Sequence, residues 1–275
     1  MLKLWIEENK KEKPDYPNKM EFYELQEKIE ITSEIKKDIS KRVLLGLEKP
    51  KYLKSRLNNL SSEEIKECLI DTILPKKNAP FYPQKSLWGE IISTEILSEF
   101  RKHLIPFYRL RYKEKQNQAM RGEADIVTCH LSDNPLIIAF TEVKTKGNLQ
   151  NKGFYEYKKE MKNAEEELLK DDVKNPEILE HMYKILVDDD KHDLLQKFDD
   201  AIKNQNSYKK EFHIFMIIEK NRWGEQIIEF FKENSTQLPN LTINIVLINS
   251  LNDLIDETYD IILDIAEEVI NDFEE

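Results

Sequence analysis

Two short stretches carry residue types that could act together: Gly122-Glu123-Ala124-Asp125 and, farther along, Glu142-Val143-Lys144. Each touches a strand-like run, Glu123 to His130 (EADIVTCH) and Leu136 to Lys146 (LIIAFTEVKTK). Side chains alternate faces along a strand, so Glu142 and Lys144 point the same way. Two carboxylates suffice to hold Mg²⁺, which takes oxygen ligands and keeps several waters. A metal so held polarises a phosphoryl oxygen and lowers the pKa of a bound water. A neighbouring lysine orients that water and offsets charge developing on the phosphate. The pattern is therefore that of metal-dependent phosphodiester hydrolysis. Asp125 and Glu142 are the expected ligands of Mg²⁺, or of Mn²⁺ in its place, with the Val143 carbonyl as a possible third. Lys144 is the cationic helper. Glu90, in Trp88-Gly89-Glu90 at the start of a helix, is a candidate further acid.

These residues need a sheet to bring them together. Residues 131–135 (LSDNP) are turn formers, so the two runs read as an antiparallel hairpin with Asp125 beside Glu142. Burying LIIAF stabilises by roughly 25 cal/mol per Å² of apolar surface. A carboxylate and an ammonium directly after such a run are costly unless paired, metal-bound or at a strand end that solvent reaches. Glu-x-Lys alone says little in a chain that is 35% charged. Glu8-Asn9-Lys10, Glu64-Ile65-Lys66 and Glu160-Met161-Lys162 match it too, in polar segments that read as solvated faces. Only Glu142-Val143-Lys144 ends a long apolar run and has an Asp on a preceding strand; the plain alternative is a Glu–Lys pair capping a strand end.

The order of elements resembles the PD-(D/E)XK nuclease superfamily: a helix with Glu90, a strand, a strand with Asp125, a strand with Glu142-Val143-Lys144, a helix and a later strand. Ala124 stands where that pattern usually has proline, which is not a ligand. More narrowly, Trp88-Gly89-Glu90, Arg109-Leu110-Arg111-Tyr112, Arg121-Gly122-Glu123-Ala124-Asp125 and Thr141-Glu142-Val143-Lys144 are similar to the HamA family, nuclease subunits of the Hachiman antiphage system, over about residues 80–250. The resemblance implies an α/β (α+β) fold with a restriction-endonuclease-like core, a mixed central sheet flanked by helices. It also implies a DNA-degrading effector, working with a superfamily 2 helicase (HamB-like) and restrained until infection.

The net charge of −11 argues against binding DNA until its distribution is considered. Ten of the acids lie in residues 251–275, which contain no Lys or Arg, so residues 1–250 are nearly neutral. Residues 101–121 hold seven basic residues and one acid and lead straight into Asp125. Arg109, Arg111 and Lys113 share one strand face, and with Arg121 they read as a phosphate-binding rim, or else as an ordinary solvated strand and loop. Lys36 to Arg56, with eight basic residues, reads chiefly as a solvated helix face.

Residues 1–80 read as a mostly helical accessory segment and 81–275 as the nuclease-like domain, with Pro75, Pro80 and Pro83 at the boundary. Residues 20–30 fit a strand or a short helix. Helices are expected at 33–48, from a Ser N-cap near Ser61 to Leu74, from residue 84 or 86 to His103, and at 153–170 and 223–234. Strands are expected at 106–112, 211–219 and 241–248, the last two buried on both faces. The final helix, 251–273, has an acidic outer face that is either solvated or a surface for a basic partner.

Cys68 and Cys129 follow no metal spacing, which suits a reducing compartment, and Cys129 reads as a core residue. The N-terminus lacks a signal-peptide pattern and no run of about 18 apolar residues occurs, so a cytoplasmic protein without membrane contact is expected. There is no phosphate-loop motif, GxGxxG, GxSxG or HExxH, and the five histidines show no paired zinc spacing. His130 and His213 read as core or edge residues of strands. Beside the nuclease stand two other readings: a catalytically silent nuclease-like module that binds DNA or a partner, and an interaction protein acting through its acidic last helix.

Overall fold

The computed structural model describes residues 2–10, 20–76, 83–104, 124–130, 135–147, 154–188, 192–204, 207–224 and 236–272. Six strands form one mixed sheet: β1 (Ile6–Lys10), β2 (Glu21–Glu27), β3 (Ile126–His130), β4 (Leu136–Lys146), β5 (Tyr208–Glu219) and β6 (Leu241–Ile248), in the order β1-β2-β6-β5-β4-β3. The four central strands β2, β6, β5 and β4 are parallel, and the edge strands β1 and β3 run antiparallel to their neighbours. Parallel strands are covered on both faces, and the continuous apolar runs of β5 and β6 are accordingly buried.

Alternation sorts the strand side chains into two cores. Ile138, Phe140, Phe212 and Met216 face α6 (Phe154–Asp188) and α7 (His192–Lys203). Val143, Phe215, Ile217 and Val246 face α2 (Ser33–Leu47), α5 (Pro83–Arg101) and α8 (Leu251–Asn271). The short helices α1 (Leu2–Trp5), α3 (Pro50–Leu57) and α4 (Ser62–Cys68) join this second side. Helix α4 begins with the expected cap: Ser61 and Glu64 form a reciprocal capping box, and a π-helical turn, Leu69–Ile73, follows.

Residues 1–80 thus enter the main sheet. The ambiguous run at 20–30 is the strand β2, paired in parallel with β6, and β1 extends the sheet beyond it. Helix α2 shares its core with α8. The basic stretch at 36–56 and the acidic last helix meet each other: Lys36 pairs with Glu257, Lys37 with Glu268 and Lys41 with Asp272, while Lys66 on α4 pairs with Asp264. These pairs are largely exposed, and such pairs contribute about 0–1 kcal/mol each. The hold is apolar, through fully buried Ile262 and Ala266 with Leu254 and Val269. Ile262→Ala should lower unfolding free energy by about 2–5 kcal/mol, and Lys37→Ala by less than about 0.5 kcal/mol, as read by urea denaturation.

The expected helix at 223–234 and strand at 106–112 fall, but for residues 223 and 224, outside the described residues; a single 3₁₀ turn, Lys220–Arg222, follows β5.

Candidate active site

Strand β4 is buried through Val143, and the site forms where its apolar run ends. Ile126 lies opposite Thr141 in the β3–β4 pair, so the chain enters β3 with Asp125 beside the Glu142-Val143 step. There the Val143 N–H donates to Asp125 Oδ2 at 2.9 Å. Asp125 is 5% exposed and Glu142 3% exposed. Lys144 follows Glu142 on the same face and donates to Glu142 Oε2 at 3.2 Å. Asp125, Glu142 and Lys144 therefore converge at the carboxyl end of β4, the end at which open α/β sheets hold their ligands.

The electrostatics of the group are those of a site short of positive charge. Burial, and after it the charge of Asp125, push the Glu142 carboxyl up to about 11, with Lys144 acting the other way. Two carboxylates this close and this buried resist ionising together. Burial disfavours the Lys144 ammonium, but Glu142 and a second acid, Glu167, outweigh it and hold that lysine above its ordinary value. Lys144 Nζ donates to Glu167 Oε2 at 2.6 Å, from the facing side of α6. That contact places Glu167 below the ordinary carboxylate value in spite of burial. One layer out, Lys146 pairs with Glu160, a helical repeat earlier on α6.

Glu167 was not apparent from the sequence. Its signal was its place on the stripe of Tyr157, Ala164 and Leu168, which buries against the sheet. On the same helix, Lys158 is half-buried and Lys159 exposed.

Helix α5 approaches the other face of β4 closely. A Cβ on Gly89 would lie 1.9 Å from Thr145 Oγ1, so only glycine fits there without displacement. The next residue, Glu90, is 1% exposed and accepts from Ser86 Oγ at 3.0 Å. Trp88 is fully buried, its indole N–H donating to Thr258 Oγ1 of α8 at 3.1 Å. The Trp-Gly-Glu step thus seats α5 between β4 and α8. Gly89→Ala should cost about 1–3 kcal/mol of stability, measured by denaturant midpoint, because the short Thr145 side chain has nowhere flexible to go.

The rim residues Arg109, Arg111, Lys113 and Arg121 lie outside the described residues, as do Gly122 and Glu123. A family model for HamA matches residues 1–262. The chain belongs to the HamA family. The match begins with the N-terminal helix and strands, so residues 1–80 are part of what defines the family. Membership makes the protein a component of the Hachiman antiphage defence system. A comparison with curated proteins returns no match. Among the described residues, no helix is long and apolar enough to cross a membrane.

Proposed function

We propose that the chain is a Mg²⁺-dependent deoxyribonuclease effector with a PD-(D/E)XK catalytic core. The observation that carries this reading is the buried meeting of Asp125, Glu142 and Lys144. A buried acid pair with a lysine beside Glu142 fits a divalent cation, because the cation supplies the positive charge that two adjoining buried carboxylates lack. Asp125 and Glu142 would hold it, with the Val143 carbonyl as a third donor. Mn²⁺ would substitute. When bound, the metal polarises the scissile phosphate and acidifies a coordinated water.

The protein's own groups do the positioning. The Val143 N–H fixes the Asp125 carboxylate against the strand. Lys144, paired with Glu142 and Glu167, would orient the attacking water and neutralise charge on the phosphate. Glu90 would act as a further acid at the foot of α5. Arg109, Arg111, Lys113 and Arg121, just before Asp125 in the chain, would bind the DNA backbone. By its family, the protein would act in the cytoplasm with a superfamily 2 helicase subunit that restrains it until infection.

The test is digestion of supercoiled and linear DNA with Mg²⁺ or Mn²⁺, with and without the helicase subunit. Cleavage is expected in at least one of these conditions and should vanish with chelator. DNA binding with a steep salt dependence and no cleavage under any metal would instead establish a silent recognition module.

A further inference from the structure

A second cluster lies on the other face of the sheet, at the opposite end of β4. Glu90 stands near the start of helix α5 and His103 just past its end, roughly 20 Å away at 1.5 Å per residue. Lys102 adopts a left-handed backbone (φ 58°) that ends the helix, and the His103 N–H turns back to the Leu97 carbonyl at 3.1 Å. Leu104 then pairs with Cys129 of β3. This turn sets His103 against β3, its Nδ1 2.6 Å from Thr128 Oγ1. His130, two residues on, shares the face of Thr128, and the His103 and His130 rings meet edge to face at 4.0 Å. From β5 come Glu211 and His213, on that same side by alternation.

The ligand-type atoms of His103, His130 and Glu211 all lie within 4.8 Å of one another. They line a cavity of about 430 Å³ that Arg101, Tyr23 and His213 also line. His213 is 3% exposed, and neither ring nitrogen has a hydrogen-bond partner; Nε2 stands 3.8 Å from Glu211 Oε2, beyond hydrogen-bond reach. A buried imidazole without a partner is costly, and native proteins keep such groups where something else satisfies them. The Arg101 guanidinium is already engaged by Glu8 and Asn244. The cavity thus presents imidazole nitrogens beside the carboxylates of Glu211 and Glu21, a set suited to a cation.

We propose that His103, His130 and Glu211 form a second metal site, of the zinc type, distinct from the Asp125–Glu142 pair. Two imidazoles and one carboxylate are an established Zn²⁺ donor set, and magnesium seldom takes imidazole nitrogen. With Nδ1–H of His103 donating to Thr128, its Nε2 presents the lone pair to the metal, the usual arrangement of a supporting hydrogen bond. Burial, with the neighbouring imidazoles, pushes His103 down to about 2, so it is neutral as a ligand must be. Three protein donors leave a fourth position open to the cavity, for water or a small anion. The metal would pin the end of α5 to β3 and β5.

The experiment is metal analysis of the full-length protein, stripped with chelator and re-equilibrated with Zn²⁺, together with thermal unfolding. Wild type should retain about one zinc per chain that excess Mg²⁺ does not displace. Zinc about a hundredfold above its Kd should raise the melting temperature by roughly 5–10 °C. Glu211→Gln and, separately, His130→Asn should abolish both effects, whereas Glu142→Gln should keep them. Either single variant suffices if the other fails to fold. Absence of zinc in the wild type, or zinc retained by both cluster variants, overturns the site. Zinc lost in Glu142→Gln but kept in Glu211→Gln places it on the acid pair and overturns the site equally.

Discussion

Replacing Glu142 by Gln should make the metal-free protein more stable at alkaline pH, and not at acid pH. The folded pKa of Glu142, about 11, lies above its unfolded value of 4.5. Between those values the native state keeps a proton that the unfolded state releases, so stability falls as pH rises through that window. Below pH 4.5 both states are protonated and the group contributes nothing. Wild type should therefore lose stability between pH 5 and pH 8 by up to ~4 kcal/mol through this group, at 1.36 kcal/mol per pH unit. Glu142→Gln keeps the shape, removes the ionisation and should not show that slope. At pH 8 it should melt roughly 5–10 °C higher than wild type without metal. Mg²⁺ should reverse the order, because it stabilises the ionised pair and the amide binds it poorly. Melting curves across pH, with and without Mg²⁺, check both halves; parallel pH profiles for the two proteins would show that Glu142 is not held protonated.

Lys144→Ala should reduce DNA cleavage by about 10²–10³-fold, the range for losing one group that meets charge developing in a transition state. Glu167→Gln should change it by less than about tenfold, since Glu167 touches the lysine and not the phosphate. The contrast matters because both changes remove the same ion pair, 2.6 Å long in the wild type. If the contact were only structural, the two variants would lose activity together. Single-turnover rates on a labelled duplex, at saturating Mg²⁺, separate the cases.

The acid–lysine group could be read from local pattern because its parts are local. Alternation places Glu142 and Lys144 on one face, and the turn formers at 131–135 predict the antiparallel pairing of β3 with β4 that returns Asp125 to them. Glu167 could not be read this way: it lies in the run Glu165-Glu166-Glu167, and only the packing of α6 on β4 selects one acid of the three. The histidine cluster was hidden more deeply. His103, His130 and Glu211 come from a helix end and two strands that a parallel crossover separates, so no spacing rule joins them. The N-terminal segment shows a different limit. MEFYELQE fits both periods, and it is pairing with β6 that makes it a strand. Likewise the basic run at 36–56 read chiefly as a solvated face, and the acidic face of the last helix as solvated or open to a basic partner, yet ion pairs join α2 to α8.

The most direct measurement is cleavage of one linear duplex by wild type and by Glu142→Gln, at equal Mg²⁺ and with the helicase subunit present. Because the Gln variant should be at least as stable as wild type before metal is added, loss of activity cannot be assigned to unfolding. Cutting by wild type and a fall of about 10³-fold or more in the variant is the expected result. Equal cutting by the two proteins would contradict a catalytic role for the Asp125–Glu142 pair.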